Sequence, residues 1–330
     1  MPGEVRVGTS GWSYPAGRGT WNGIFYPAGS RRRSLKHFDE LAYYAEHFDT
    51  VEVNSTFYRL PHLDTTKSWA SRTPPGFDFS VKLFQAFTHP RMLAGDEAKA
   101  SLTEPRDEAS TIPAVSQAQA DEFRAVMEPL ASAGKLGALL VQFPPSFRQA
   151  PRSTDYLRWL LAAFADFSPA VELRHRSWSD DVSTTLTLLA EFKAAWVQID
   201  EPKFRFSIRQ NQVPNVTGFY YMRLHGRNAA TWWKHDHSED RYNYLYTPEE
   251  LKPLTETVKA VRTIVRKSYL YLNNHFAAKS VADAVEVKHQ LGQPITGEYR
   301  EELLEAYPFL RQVPGCTPEH ALLPPPSVAK

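Results

Sequence analysis

The sequence predicts a single (β/α)8 barrel of the TIM type, with a long loop after the third strand and a C-terminal extension. Short β-branched or aromatic runs alternate with helical patterns from the first residues almost to the end. Eight strands with helical crossovers over about 290 residues match this fold. The glycines of GTSGWSYPAG, after the first strand, fit neither a dinucleotide fingerprint nor a Walker loop. A doubly wound open sheet is therefore the less favoured alternative.

The predicted elements follow one another regularly, except that residues 201–218 form a loop where a helix would be expected. The strands cover residues 5–8, 50–54, 78–83, 138–143, 170–174, 195–200, 219–225 and 269–273. The helices cover residues 34–47, 63–71, 117–133, 153–164, 182–192, 248–266 and 277–291. Ser34 and Thr247 occupy N-cap positions, and Pro248 occupies a first helical position, where its missing N–H costs nothing.

Two segments lie outside this repeating pattern. Residues 88–116 form a long, polar, proline-containing loop, which would overhang the carboxyl ends of the strands as a lid or be disordered. Residues 292–330 form an extension beyond the barrel of residues 1–291. It contains one amphipathic helix at 298–310 and then a proline-rich tail that we expect to be mobile.

Composition excludes several classes of protein. The 330 residues carry 38 basic and 37 acidic side chains, which argues against binding nucleic acid by bulk charge. The lone Cys316 excludes an internal disulfide framework and a cysteine-based zinc cage, and it favours a cytosolic location. The N-terminus does not resemble a signal peptide, and no apolar run approaches the ~18 residues of a membrane span. We therefore expect no membrane partner.

Polar side chains alternate with apolar ones in seven of the strands, although a parallel strand buried on both faces is usually apolar throughout. In residues 50–54, Val51 and Val53 share one face, so Glu52 and Asn54 share the other. Because the apolar faces must pack on the helices, the polar ones point into the barrel. Their charges gather near the carboxyl ends of the strands, where barrel enzymes have their active sites.

These polar positions predict an active site. The candidate catalytic residues are Glu52, Glu172, Asp200 and His225. The candidate substrate-binding residues are Trp12, Tyr14, Asn54, Tyr58, Lys82, Gln142, Arg174, Arg223, Asn273 and Asn274. Carboxylates serve as acids and bases, His225 titrates near neutrality, and the three cations hold an anionic group. The structural alternative is an ionic network that only locks the core, with pairs such as Glu52–Lys82 or Glu172–Arg174.

Aromatic residues and histidines refine this prediction. Aromatic planes beside charged groups suit sugars or nucleobases. The aromatic residues expected after the strand ends are Trp12, Tyr14, Phe57, Tyr58, Trp178, Trp232 and Trp233. We expect no cofactor and no metal, because three resident cations would repel an ion among the acids. His235 and His237 form a His-x-His pair, but they lie in a polar loop.

Seven motifs, in order, resemble the family called domain of unknown function 72, or YecE-like. They are VGTSGWSYPAGRGTWNGIFYPAG, LAYYAEHFDTVEVNSTFYRLP, FDFSVKLFQAFTHPR, LVQFPPSF, AVELRHRSW, YYMRLHGR and YLYLNNHFAAKSVADA. The resemblance covers about residues 5–291 and implies a TIM-type barrel similar to the endonuclease IV and xylose isomerase groups. It implies a fold and not an activity. The insertion at 88–116 and the tail after Leu291 depart from the shorter family pattern.

We therefore predict a cytosolic acid–base enzyme, a hydrolase, lyase or isomerase, that acts on a small anionic, phosphorylated or sugar-containing substrate. The first alternative is nucleic-acid binding or endonuclease IV-like processing of DNA or RNA, with Arg18 and residues 31–33 as a basic rim. The second alternative is a non-catalytic binding scaffold. The oligomeric state stays open.

Overall fold

The structure is a computed structural model that describes residues 2–29, 38–90, 111–211, 213–232, 237–316 and 318. Nine strands lie within these ranges. They are β1 (Glu4–Thr9), β2 (Thr50–Val53), β3 (Asp78–Lys82), β4 (Leu136–Gln142), β5 (Pro169–Glu172), β6 (Ala195–Trp196), β7 (Gln198–Asp200), β8 (Phe219–Leu224) and β9 (Lys267–Leu272). Each of β2, β5 and β8 is buried along its whole length, as expected for parallel strands covered on both faces.

Helices connect most of these strands. They are α1 (Glu40–His47), α2 (Ser55–Tyr58), α3 (Leu63–Ser71), α4 (Gln117–Ser132), α5 (Pro151–Ala163), α6 (Ser177–Asp180), α7 (Val182–Glu191), α8 (Pro248–Val261), α9 (Lys279–Gln290) and α10 (Glu301–Ala306). Short 3-10 turns cover Gln85–Phe87, Ala165–Phe167, Ser238–Tyr242, Phe276–Ala278 and Pro308–Gln312. None of the helices in the described ranges has the length and apolar character needed to cross a bilayer.

The strands pair in parallel in two sheets. One sheet has the order β1-β9-β8-β7 and the other the order β2-β3-β4-β5-β6. The predicted α/β fold with parallel sheets is therefore confirmed. Because all neighbours are parallel, the carboxyl ends of the strands in each sheet lie along one edge, and this edge carries the candidate site.

Two connections link the sheets. Ser10, just after β1, forms a parallel bridge with Glu52 of β2, and the Gly11 N–H donates to the Glu52 carbonyl over 2.7 Å. At the other end, β6 pairs with β5 and β7 pairs with β8, and only Val197 separates β6 from β7. The single strand predicted at 195–200 is therefore two strands that belong to different sheets.

The predicted loop at 201–218 explains this break. The Gln210 side chain accepts from the Ile199 N–H (3.1 Å) and donates to the Val197 carbonyl (2.7 Å). Asn215 does the same for the Trp196 N–H and the Ala194 carbonyl, both over 2.8 Å. Side-chain amides thus replace the backbone partners that a neighbouring strand would supply, so the segment needs no helix to hold it in place.

Some helices differ from their predicted bounds. α8 begins as predicted, with a capping box between Thr247 and Glu250, but ends at Val261 instead of residue 266. Just after the end of this helix, the Gly3 N–H donates to the Arg262 carbonyl (2.6 Å). α1 begins at Glu40, after its N-cap Asp39. The predicted cap Ser34, residues 91–110 of the long loop, and the tail from 319 lie outside the described residues.

The first part of the C-terminal extension packs on the same hydrophobic core as the strands. Tyr299, Leu303, Leu310 and Val313 are buried in that core. The helix predicted at 298–310 forms only at Glu301–Ala306 and is followed by the 3-10 turn. Pro308 accounts for the shortening, because proline disfavours α-helical geometry in the residue before it.

Candidate functional site

Arg223 of β8 is the centre of a buried polar cluster at the carboxyl edge of the sheets. Its side chain is 1% exposed. The guanidinium donates two hydrogen bonds to the Glu52 carboxylate, from Nε to Oε2 (2.8 Å) and from Nη2 to Oε1 (2.7 Å). Nη1 donates to Glu172 Oε2 (2.6 Å) and to Gln142 Oε1 (3.0 Å). Tyr221, two residues earlier on β8, donates its hydroxyl to Glu52 Oε2 (2.7 Å). One cation therefore joins side chains from β2, β4 and β5.

Glu172 is shared between two arginines. Its Oε1 accepts from Arg174 Nε (2.7 Å), and Arg223 takes the other oxygen. Burial alone would raise the pKa of Glu172, but the two guanidinium groups outweigh it and hold that pKa well below the usual range. Glu172 is therefore ionised throughout the neutral range and does not exchange its proton there.

His225 completes this cluster as a neutral ring. Its Nε2 lies 3.1 Å from Arg174 Nη2, and its Nδ1 lies 2.8 Å from the Asn273 side-chain amide. Burial lowers the pKa of His225 to about 3. The sequence predicted that His225 titrates near neutrality, but these surroundings favour a ring that stays uncharged there. Trp232 contacts the same ring edge-on, with 6.3 Å between centroids.

Lys82, at the end of β3, is the exception in this cluster. Its Nζ lies 3.9 Å from the centroid of the Phe57 ring. Across the described ranges it has neither a hydrogen-bond acceptor nor a carboxylate partner, and the predicted Glu52–Lys82 pair does not form. Burial and, after it, the positive charge of Arg223 lower the pKa of Lys82 to about 7, against the opposing effect of Glu172 and Glu52. A partly buried amine whose pKa lies near neutrality is a candidate functional group.

Glu201, which follows β7, is a carboxyl group that the sequence prediction missed. It is buried, and its Oε2 lies 3.5 Å from Arg174 Nη1. Burial raises the pKa of Glu201, and Arg174 offsets only part of this effect. Alternation along the strand predicted Asp200 instead, because Asp200 is in phase with Gln198. The strand ends at Asp200, so alternation no longer governs the next residue.

Asp200 belongs to a neighbouring network and not to the Arg223 cluster. Its carboxylate is held by Arg227 through Nε and Nη2, both over 2.9 Å, and by the Tyr246 hydroxyl (2.7 Å). Glu250 lies 3.4 Å from the same guanidinium. These contacts leave Asp200 a structural partner of Arg227.

The remaining predicted binding residues are dispersed. Asn274 is buried and donates to Asp283 (2.5 Å). Trp12 packs edge-on against Trp69 at 5.5 Å, and Tyr14 stacks on His275 at 4.4 Å. Tyr58 is 65% exposed, and the Asn54 amide oxygen is buried without a hydrogen-bond partner in the described part of the chain.

The other aromatic and basic residues predicted for the site also differ in where they lie. Trp178 is a core residue that stacks on Phe147 at 5.5 Å, whereas Phe57 and Trp232 contact the cluster. Arg18 pairs with Asp240 at 2.9 Å. Residues 31–33, Trp233 and His235 lie outside the described ranges. In the ranges that are described, no three His, Cys, Asp or Glu side chains are grouped so that they could hold a metal ion.

The opposite edge of the sheets carries a second, smaller polar group. Asp78, at the start of β3, accepts from Lys267 Nζ (2.8 Å) and from the Tyr269 hydroxyl (2.9 Å). Unlike Lys82, Lys267 has a carboxylate partner. It is therefore a matched control for Lys82, at the other end of the strands.

In comparisons with known proteins, this chain is similar to members of one protein family along most of its length. A family model described as "Protein of unknown function DUF72" matches residues 6–304. The UPF0759 protein YunF of Bacillus subtilis is 27% identical over 307 residues, which cover 89% of this chain and 96% of that protein. A DUF72 family structure from Thermotoga maritima is 30% identical with a TM-score of 0.69, and covers 88% of this chain and 100% of its own. One from Enterococcus faecalis is 23% identical with a TM-score of 0.70, and covers 90% and 100%.

Proposed function

The chain belongs to the DUF72 family of proteins of unknown function, and we propose from the site itself that it is an enzyme. Its reaction is acid–base chemistry, of the hydrolase, lyase or isomerase type, on a small anionic substrate at the carboxyl edge of the sheets. The substrate is phosphorylated or sugar-containing, and the reaction takes place in the cytosol. The observation that carries the proposal is the amine of Lys82, which has no acceptor or carboxylate among the described residues and lies beside two arginines and above an aromatic ring.

Lys82 and Glu201 are the two groups suited to exchange protons. Burial lowers the pKa of the amine to about 7 and raises the pKa of the carboxyl, so both change protonation state closer to neutrality than they would in water. A general acid or base works best when its pKa lies near the working pH. Glu52 and Glu172 serve a different purpose, because Arg223 binds both carboxylates.

Arg174 supports the choice of an anionic substrate. Its Nε and Nη2 bind Glu172 and His225, whereas within the described ranges its Nη1 makes only the longer 3.5 Å contact with Glu201. That nitrogen and the Lys82 amine together offer positive charge to a carboxylate or phosphate. Phe57 and Trp232 add apolar surface for the rest of the molecule.

We also propose that the two sheets are parts of one TIM-type barrel. Val197 alone separates β6 from β7, and Ser10 bridges β1 to β2, so each end of one sheet adjoins an end of the other. In such a barrel the Arg223 cluster would fill the interior at the face where TIM-barrel enzymes have their active sites.

The direct test is proton exchange and turnover in D2O, followed by NMR. The protein is incubated with a panel of sugar phosphates, hydroxy acids and keto acids. We expect loss of C–H signals or new product signals for at least one compound, and a rate lower by about 10²–10⁴-fold for Lys82→Met. Lys267→Met, at the opposite edge, is expected to keep the wild-type rate. The proposal is wrong if no compound changes, or if Lys82→Met and wild type act equally.

A second comparison separates Glu201 from its neighbour in the chain. With a compound that reacts, we expect Glu201→Gln to lower the rate by about 10²-fold, because an amide cannot exchange a proton. Asp200→Asn is expected to lower it less, since Asp200 contacts Arg227 and not the cluster. Asp78→Asn serves as the buried-acid control. A larger loss for Asp200→Asn than for Glu201→Gln would restore the assignment predicted from sequence.

A further inference from the structure

We propose that Lys82 is a nucleophile that forms a covalent imine with the aldehyde or ketone group of a small anionic substrate. This inference rests on the proposed function and deepens it, because it names a carbonyl compound as the substrate class. It also narrows the reaction to types in which an imine withdraws electrons from a neighbouring carbon, as in carbon–carbon cleavage or isomerisation.

An amine without an oxygen acceptor is the first requirement, and within the described residues the contacts of three other buried or partly buried lysines show the contrast with Lys82. Lys135 donates to the Ala70 and Thr73 carbonyls, both over 2.6 Å. Lys288 donates to the His47 carbonyl (2.9 Å), and Lys267 to Asp78 (2.8 Å). Each of these amines is committed to oxygen acceptors that favour its charged form. Lys82 instead contacts the face of Phe57.

Rigid support is the second requirement. The Lys82 carbonyl accepts from the Thr56 hydroxyl (2.6 Å), which ties the end of β3 to α2. Phe57, the next residue of α2, then positions the amine. Charged and titratable groups on the facing elements act on this amine with both signs. They are Arg223, Glu172, Glu52, Arg174 and His89.

The chemistry balances without an oxidant or a second reactant. The amine nitrogen bonds to the carbonyl carbon, the C=O π pair moves to oxygen, and that oxygen takes a proton while the nitrogen loses one. Glu201 then supplies the proton with which the hydroxyl leaves as water, and the nitrogen electron pair forms the C=N bond. Hydrolysis by the reverse steps frees the lysine. Arg174 would hold the anionic group of the substrate during these steps.

The test uses glyoxylate, a small anionic aldehyde, with cyanoborohydride to reduce any imine to a stable carboxymethyl-lysine. Peptide mass mapping follows the rate at each lysine. At pH 7 we expect Lys82 of the folded protein to be labelled at least about tenfold faster than exposed lysines, because far more of its amine is neutral. This preference should shrink as the pH approaches about 10, where the other lysines also become neutral.

Two controls make the result decisive. Lys267→Met should keep the labelling at position 82, and inorganic phosphate should slow it by competing for the anion site. Labelling of Lys82 no faster than that of exposed lysines would overturn the inference. If Lys82 escapes labelling while turnover in D2O still depends on it, the imine is wrong but the proposed enzyme stands. If Lys82 matters in neither experiment, both proposals are wrong.

Discussion

Replacing Arg223 by methionine is expected to destabilise the protein by about 3–5 kcal/mol, the range for breaking a buried ion pair by removing one partner. The change would leave the Glu52 and Glu172 carboxylates buried, with Glu52 stripped of its only cation within the described part of the chain. Urea denaturation of the full chain at pH 7 measures the free energy of unfolding.

Arg227→Met is the matched control, because Arg227 also binds a carboxylate through two nitrogens but its side chain is 36% exposed. We expect it to lose only about 1 kcal/mol. A double variant, Arg223→Met with Glu52→Leu, should recover much of the stability, since Glu172 keeps Arg174 as its partner and apolar side chains often replace a buried ion pair without loss. Equal losses for Arg223→Met and Arg227→Met would contradict the central role of Arg223.

Replacing Lys82 by methionine is expected to have the opposite sign and to stabilise the protein by about 2 kcal/mol at pH 6. The pKa of Lys82 is lowered to about 7 in the fold, whereas an unfolded lysine titrates near ~10.4. Below pH 7 the amine of Lys82 carries a proton in the folded protein although it is poorly solvated there. This charge lowers the free energy of unfolding. The expected stabilisation is smaller than the full shift of the Lys82 pKa implies, because the Lys82 side chain is only partly buried.

The pH dependence of this gain follows by linkage. Between about pH 7 and 10.4 the unfolded chain binds more protons at this lysine than the fold does, so wild-type stability rises with pH relative to the variant. The advantage of Lys82→Met should therefore shrink across this window and vanish above it. Urea denaturation of both proteins at pH 6 and pH 9.5 measures the difference, in which other titrating groups cancel. Lys267→Met should show no such stabilisation, because Lys267 pairs with Asp78. A constant difference across pH would show that Lys82 is not perturbed by the fold.

Arg223 and Lys82 represent different uses of buried charge. Arg223 is stabilised by the acids around it, and it positions side chains from three other strands. Lys82 is expected to lower stability at its position, which is typical of groups placed for chemistry and not for packing. A single cluster would thus combine a rigid ionic support with the amine that we propose to be reactive.

The sequence predicted the alternation of the strands well because that property is local. Glu52 lies between two buried valines, and a two-residue period must turn it away from them. The same reasoning brought Glu52, Glu172 and Arg223 to one region before any contact was known. It suggested the pairs Glu172–Arg174 and Glu52–Lys82, of which only the first forms.

Which cation binds which carboxylate could not be predicted from the sequence, because a long charged side chain can reach several partners. Glu52 and Lys82 lie on neighbouring strands, yet Arg223 takes both oxygens of Glu52 from across the cluster. A planar guanidinium matches a carboxylate in two places, whereas an ammonium offers a single point charge. This geometric match decides which cation Glu52 binds, and it leaves Lys82 without a carboxylate in the described part of the chain.

What the sequence determined by itself was the alternation of strands and helices, the parallel α/β class and the shared face of Glu52, Glu172 and Arg223. These depend on periodicity, capping and strand length, which are properties of a few consecutive residues. Only the tertiary structure decided that Asp200 contacts Arg227, that Glu201 faces Arg174, and that Lys82 has no carboxylate partner among the residues that the structure describes. Pairing and pKa depend on distance and burial between segments far apart in the chain, and no local pattern encodes those distances.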